Sequence, residues 1–198
     1  MLLLVTGRGR RLLFIARRLS DSRMLLLGAI VLVAFSAVYV TVNGVVLDES
    51  VMQAQVLSGD VQYPSDHPSN IYFRQAYNLP GYLVTIFMKA GLGVTELSLS
   101  RNIAFLFLSL FVPFALTILL TRSMLFGFLT IALVLTESAI YFGGAYPIHV
   151  FPDFYSLGHI GMQLSLLTAI LLLGGYWRSG GGLLGILPLI HPTMALVI

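Results

Sequence analysis

Long uncharged stretches divide this chain into a series of predicted helices. Residues 24–47 read MLLLGAIVLVAFSAVYVTVNGVVL and hold no charged side chain over 24 positions. About 20 consecutive apolar residues suffice to cross the hydrocarbon core of a bilayer. The pattern predicts an all-α, polytopic helical membrane protein with about five transmembrane helices. The predicted spans are 24–47, 99–121, 124–142, 157–176 and 182–198.

Residues 48–79 form the longest polar stretch, and we expect a helical extracytoplasmic loop over 48–98. The piece DESVMQAQVLSGD predicts a short helix that ends at Gly59, whereas YPSDHPSN, with two prolines, predicts a loop. The apolar segment 80–93 is short for a span and carries Lys89. We therefore expect an amphipathic helix lying on the outer membrane surface.

Basic residues predict the orientation. Residues 1–23 hold six arginines and one acid, Asp21, so we expect a cytoplasmic basic tail. If 80–93 does not cross, Arg122 and Arg178 also lie inside, as the positive-inside bias favours. The segment LLFIA within the tail predicts either an interfacial helix on anionic lipid or a disordered tail, and both alternatives stay open.

Composition agrees with an integral membrane protein. Hydrophobic residues make up 58% of the chain and charged residues 10%, against about 25% charged in soluble domains. We expect the bacterial plasma membrane, with membrane lipid as a partner. The basic tail is too short and too close to lipid to indicate a nucleic-acid partner. The stretch 182–198 has no polar flank at its end, so we expect a piece of a longer chain, and Gly180–Gly182 predicts a tight inner turn.

The predicted outer side collects seven of the eight acids and all four histidines. Asp48 and Glu49 come directly after the first apolar run, where adjacent carboxylates can divide the roles of base and positioning group. Acids at a helix C-terminus oppose the macrodipole by about 0.3–1 kcal/mol, which favours a functional role unless the pair opens the next helix. The alternative for the whole set is topology alone, because outer loops need polar residues.

The second outer loop carries His149, Asp153 and His159 within eleven residues. These side chains could ligate a divalent metal ion or orient an acceptor. Their spacing matches no zinc signature such as H-E-x-x-H, and the chain has no cysteine, so the metal is a weakly indicated cofactor.

The order of these features resembles the amino-terminal part of GT-C membrane glycosyltransferases, such as protein O-mannosyltransferases and bacterial aminoarabinose transferases. VVLDES matches the acidic opening of the first outer loop in that family. The segment NLPGYLVTIFMKAGLGVTELSLSRNIAFLF is similar to its proline–tyrosine–lysine–arginine pattern, with Arg101 at the head of helix two. Asp153 is similar in position to the family's second acid.

The resemblance implies sugar transfer from a polyprenyl-phosphate donor to a lipid, glycan or protein acceptor on the outer face. It assigns Asp48 as the base and Arg101 or Arg74 as the residue that holds the donor phosphate. Glu49 and Asp153 would orient the acceptor or a divalent ion, with His149 and His159 as further substrate-binding residues.

A transporter is the competing interpretation. In that case Glu137, His159 and His191 would form an ion path near the membrane midplane, and Pro113 and Pro188 would fit gating helices. A structural subunit without a site is the third alternative. Convergence of Asp48 with Asp153 would favour the enzyme, whereas convergence of Glu137 with His191 would favour the transporter.

Overall fold

The computed structural model describes residues 7–47, 49–75, 79–139 and 157–190, with side chains for 21–47, 49–75, 79–136 and 160–190. These residues form helices and no strand, which confirms the predicted all-α class. In chain order the helices are α1 (Gly7–Asn43), α2 (Glu49–Ser58), α3 (Pro68–Gln75), α4 (Leu79–Lys89), α5 (Val94–Thr121), α6 (Met124–Ala139), α7 (Leu157–Leu173) and α8 (Trp177–Ile190).

Two stretches are long and apolar enough to cross a membrane. They are Asp21–Asn43, with a mean hydropathy of 2.5, and Val94–Thr121, with a mean hydropathy of 2.6. The apolar helices Met124–Thr136 and Ile160–Leu173 are shorter than a full span. The total of five spans therefore stays a prediction.

Helix α1 differs from its predicted bounds at both ends. Its backbone is helical from Gly7, so the basic segment continues into the apolar run and the disordered alternative is wrong for residues 7–23. At 1.5 Å per residue, its 37 residues extend about 55 Å, well beyond a hydrocarbon core of about 30 Å. It ends at Asn43 rather than 47, because Gly44 turns to φ +93° and donates its N–H to the Val40 carbonyl at 3.0 Å.

Helix α5 lies at the centre of the bundle and packs against α1, α6 and α7. Its Phe114 ring is fully buried between two glycines, Gly28 of α1 and Gly127 of α6. Helices α5 and α6 join through Arg122 and Ser123, and Arg122 adopts φ +54° while its N–H bonds the Ile118 carbonyl at 2.8 Å. The surrounding buried residues, which we call the Phe114 cluster, are Leu32, Val40, Leu106, Leu110, Phe114, Ile118, Ile131 and Val134.

Helices α7 and α8 pack against each other as a hairpin, and its turn is not where the sequence predicted it. The turn lies at Gly174–Tyr176, where Gly175 has φ +79° and Tyr176 N–H bonds the Leu171 carbonyl at 2.8 Å. Gly180 to Gly182 lie inside α8 instead. A Cβ on Gly180 would sit 2.7 Å from a Leu172 methyl, so this glycine permits the close contact of the two helices.

Helices α2, α3 and α4 form a layer over the end of the bundle where α1 ends and α5 begins, which we call the Glu49 end; the opposite end is the Arg122 end. Helix α2 packs on α3 and α4, and its Val51 and Ala54 form a small core with Val84 and Leu97. Helix α4 occupies most of the predicted segment 80–93. Helix α3 begins at Pro68, inside the predicted loop YPSDHPSN, because proline suits the first position of a helix.

Candidate functional site

A polar cluster joins three helices at the Glu49 end. We call its described members, Glu49, Ser50, Tyr72, Arg101 and Asn102, the Glu49–Arg101 cluster. They come from the first turn of α2, the middle of α3 and the second turn of α5. The cluster lies next to the non-helical link 44–47 that leads from the long apolar helix into α2.

Asn102 fixes this link. Its side-chain oxygen accepts the Val46 N–H at 3.1 Å, and its amide nitrogen donates to the Val46 carbonyl at 2.8 Å. Asn102 is only 2% exposed. Its amide therefore satisfies both backbone groups of Val46, as a neighbouring strand would, and holds the chain directly before Asp48 and Glu49.

Arg101 contacts the first turn of α2. Its Nη2 donates a hydrogen bond to Ser50 Oγ at 3.0 Å, and Ser50 is fully buried. Arg101 is half-buried. Its guanidinium lies beside Ser50, the residue that follows Glu49 in the chain. A guanidinium carries five donors in a rigid plane, so this position suits a phosphate or carboxylate.

Glu49 is held from a third helix. The Tyr72 hydroxyl of α3 donates a hydrogen bond to Glu49 Oε1. Glu49 is the acid in the first turn of α2, where a negative charge is favourable towards the helix dipole. The helix dipole is therefore favourable for Glu49, since this residue opens a helix rather than ending one.

Helix α3 is itself tied to α2 and to its own start. Gln53 of α2 is fully buried and donates to the Phe73 carbonyl at 2.9 Å, next to Tyr72. Asn70 donates to the Pro64 carbonyl at 3.2 Å and accepts a bond from Arg74 Nε at 2.7 Å. Arg74 is thus paired within its own helix, and its described bond is to Asn70 rather than to the Glu49–Arg101 cluster.

The predicted site residues have different outcomes. Arg101 bonds Ser50 in the first turn of α2, the turn that also carries Glu49, whereas Arg74 is bonded within α3. Asp48, His149 and Asp153 lie outside the described residues, and His159 belongs to α7 but its side chain lies outside them too. The two pairs that were to separate enzyme from transporter, Asp48 with Asp153 and Glu137 with His191, therefore stay predictions.

Three members of the cluster were missed by the sequence reading: Ser50, Tyr72 and Asn102. Asn102 opens the long apolar part of α5 directly after Arg101, which was a usable signal, because an amide that becomes buried there needs partners. Tyr72 had no such signal, since its partner is 23 positions away in the chain. Among the described side chains, no group of three or more His, Cys, Asp or Glu lies close enough to hold a metal ion.

The cluster combines groups with complementary chemistry. A carboxylate can accept a proton or orient a hydroxyl, while a guanidinium can hold an anionic phosphate close by. Helix termini and a side-chain amide fix both groups on the scaffold, next to a long apolar helix. In comparisons with known proteins, no family model, no curated protein and no solved structure matches the chain.

Proposed function

We propose that this chain is part of a polytopic membrane protein that transfers a sugar from a polyprenyl-phosphate donor on the extracytoplasmic face. In this proposal the amino terminus is cytoplasmic and the Glu49–Arg101 cluster faces outward. The single observation that supports it best is the 3.0 Å contact from Arg101 to Ser50, which brings the cation to the turn that carries Glu49.

Membrane insertion is supported by the surface of α1. Large apolar side chains project from it, with Leu26 63% exposed, Val38 64% and Val42 77%. Only 22% of the residues in the apolar stretch of α1 are buried. Water-soluble monomers rarely expose an apolar patch beyond a few hundred Å². A surrounding bilayer explains this surface, because lipid tails are as apolar as the side chains.

The proposed reaction uses each charged group once. An acceptor hydroxyl oxygen attacks the anomeric carbon of the donor sugar, and the bond from that carbon to the phosphate oxygen breaks. The phosphate keeps the electron pair, and Arg101 stabilises its charge through hydrogen bonds. The Asp48 carboxylate takes the acceptor proton, while Glu49, oriented by Tyr72, positions the acceptor.

Phosphate binding is the first test. The full chain in lipid nanodiscs would be titrated with decaprenyl phosphate, and bound lipid counted by native mass spectrometry. Arg101→Gln should weaken binding roughly tenfold to a hundredfold, since a charged hydrogen bond contributes about 1.5–3 kcal/mol. Arg74→Gln is the matched control, with the same charge change on α3, and should bind like the parent. Equal losses in both variants, or none in Arg101→Gln, would contradict the assignment.

Transfer is the second test. The parent and Asp48→Asn would be incubated with a lipid extract containing polyprenyl-phosphate-linked sugars, and sugar release from the donor measured. Asp48→Asn should bind decaprenyl phosphate normally and fail to consume the donor. Full turnover by Asp48→Asn would show that Asp48 is not the base, while the phosphate-binding result would stand separately.

A further inference from the structure

The Arg122 end carries a second polar feature that the proposed transfer reaction does not use. Three described arginines lie towards this end: Arg23 near the start of the apolar part of α1, Arg122 after α5, and Arg178 in α8. Met24 follows Arg23, and Met124 lies two residues after Arg122. Both methionines pack against the Phe114 cluster. The described acid near these arginines is Asp21, so positive charge predominates.

The α7–α8 turn forms a concavity beside Arg178. Gly175, with φ +79°, reverses the chain, and the next three side chains project around the turn. The concavity has a volume of about 370 Å³ and is lined by Gly175, Tyr176, Trp177, Arg178 and Ser179. This volume lies within the range of roughly 300–1,000 Å³ typical of small-ligand sites.

Packing indicates that this turn lies towards the Arg122 end. Ile160 at the start of α7 and Ile190 at the end of α8 both pack on Phe105, in the first half of α5. Further along α5, Val112 and Ala115 are buried although they lie outside the Phe114 cluster. The hairpin that covers this side of α5 therefore runs from Phe105 towards Arg122, with its turn furthest from the Glu49 end.

The chemistry of the lining combines two kinds of contact. Arg178 and Ser179 are exposed and supply a guanidinium and a hydroxyl, both suited to a phosphate. Trp177 is 70% exposed, and amphipathic rings of this kind concentrate at the boundary between headgroups and acyl chains. A guanidinium that can pair with a phosphate and an aromatic ring that can contact an acyl chain therefore lie at the same turn. This combination suits a phospholipid.

We propose that the concavity at the α7–α8 turn binds the phosphate-containing headgroup of an anionic phospholipid. Arg178 pairs with the phosphate, Ser179 donates a hydrogen bond to it, and Trp177 lies against the upper acyl chain. The inference assumes that the chain inserts into a membrane but is independent of the proposed sugar transfer. Negative lipid of the cytoplasmic leaflet would then stabilise the hairpin at this end.

Trp177 is the one tryptophan of the chain and so reports on this site directly. The full chain would be placed in phosphatidylcholine nanodiscs that contain a fixed minor fraction of phosphatidylglycerol brominated on its acyl chains. The same fraction of brominated phosphatidylcholine serves as the reference. Quenching of Trp177 fluorescence should indicate about fivefold enrichment of phosphatidylglycerol, since one arginine near the surface contributes about 1 kcal/mol. Equal quenching by the two lipids would overturn the proposal.

Two arginine variants distinguish a specific lipid site at the α7–α8 turn from general attraction of anionic lipid to the basic surface. Arg178→Gln should abolish the preference, while Arg122→Gln, with the same charge change at the same end, should keep most of it. Equal loss in the two variants would mean general attraction to the charged surface and would contradict a site. Arg101→Gln should leave quenching unchanged, which keeps this result distinct from donor binding. Loss of the preference when inorganic phosphate replaces chloride at constant ionic strength would support recognition of the lipid phosphate by Arg178.

Discussion

The Phe114 cluster and the Glu49–Arg101 cluster are held together by opposite means. Around Phe114, α1, α5 and α6 approach closely because glycines leave room for an aromatic ring. At the Glu49 end, α2, α3 and α5 are joined by side-chain hydrogen bonds between residues up to 51 positions apart. One region depends on shape and the other on polar pairing.

This difference has a physical reason. In the membrane environment that we propose for α1 and α5, apolar burial would not drive helices together, so close packing at small residues must do it. Near water, a polar side chain can be satisfied by solvent, so a short helix needs specific partners to stay in one position. Substitutions should therefore act through side-chain volume in the Phe114 cluster and through lost hydrogen-bond donors or acceptors in the Glu49–Arg101 cluster.

The sharpest test of packing by shape is Gly28→Ala. The added Cβ would sit 2.1 Å from Phe114 Cε1, and the opposite edge of the ring is already within 2.6 Å of where a Cβ on Gly127 would lie. The ring cannot move away, so overpacking should cost about 1–3 kcal/mol and outweigh the helix preference of alanine, about 0.5–1 kcal/mol. Unfolding of the purified chain in mixed micelles, titrated with denaturing detergent, measures the change.

Gly185→Ala is the matched control for that substitution. Gly185 lies within α8, and a Cβ there would meet no atom within 4 Å. This variant should be as stable as the parent or slightly more stable. If Gly28→Ala behaved like Gly185→Ala, the close contact of α1 with Phe114 would not contribute to the fold.

The polar region is tested by Asn102→Ala. The change removes both bonds to Val46 and should cost about 1–2 kcal/mol, because each hydrogen bond contributes roughly 0.5–1.5 kcal/mol and water can replace part of them. Hydrogen exchange followed by mass spectrometry should show faster exchange over 44–58, with unchanged protection around Phe114. Asn43→Ala is the control, since exposed Asn43 bonds only its own helix through the Tyr39 carbonyl among its described contacts.

The sequence predicts the apolar helices better than the polar cluster, because helices depend on local composition and the cluster depends on contacts between distant residues. The apolar runs predicted the positions of α1 and α5, because a run of uncharged residues is a local property of the chain. Glu49 was identified as a candidate site residue from its place directly after the first run, and Arg101 from the family resemblance of the segment that contains it. Tyr72, Ser50 and Asn102 were missed, since their roles depend on partners distant in sequence.

Local errors have equally local causes. Three successive glycines predicted a turn at 180–182, yet the chain reverses at Gly175, and Gly180 serves helix contact instead. Two prolines predicted a loop through residue 70, yet Pro68 opens α3. Glycine and proline each fit more than one structural role, and only the packing of α7 on α8, or of α3 on α2, decides between them.

The smallest effect is expected for a hydrogen bond within the bundle. Thr117 of α5 and Thr130 of α6 lie with their hydroxyl oxygens 3.0 Å apart. Three contacts share the two hydroxyl protons, because Thr117 Oγ1 also lies 2.9 Å from the Pro113 carbonyl and Thr130 Oγ1 lies 2.9 Å from the Phe126 carbonyl. At most two of these hydrogen bonds form at one time, since a hydroxyl donates one proton. Thr130→Val should therefore cost only about 0.6 kcal/mol, the average for interhelical bonds in membranes.

A double-mutant cycle with Thr117→Val isolates this contact, measured by the same detergent titration. Thr136→Val is the control on α6, because Thr136 is exposed and its described bond is to the Leu133 carbonyl of its own helix. A coupling energy well above the destabilisation caused by Asn102→Ala would reverse the comparison. It would show that polar pairing, rather than the fit of Phe114 between glycines, joins α5 to α6.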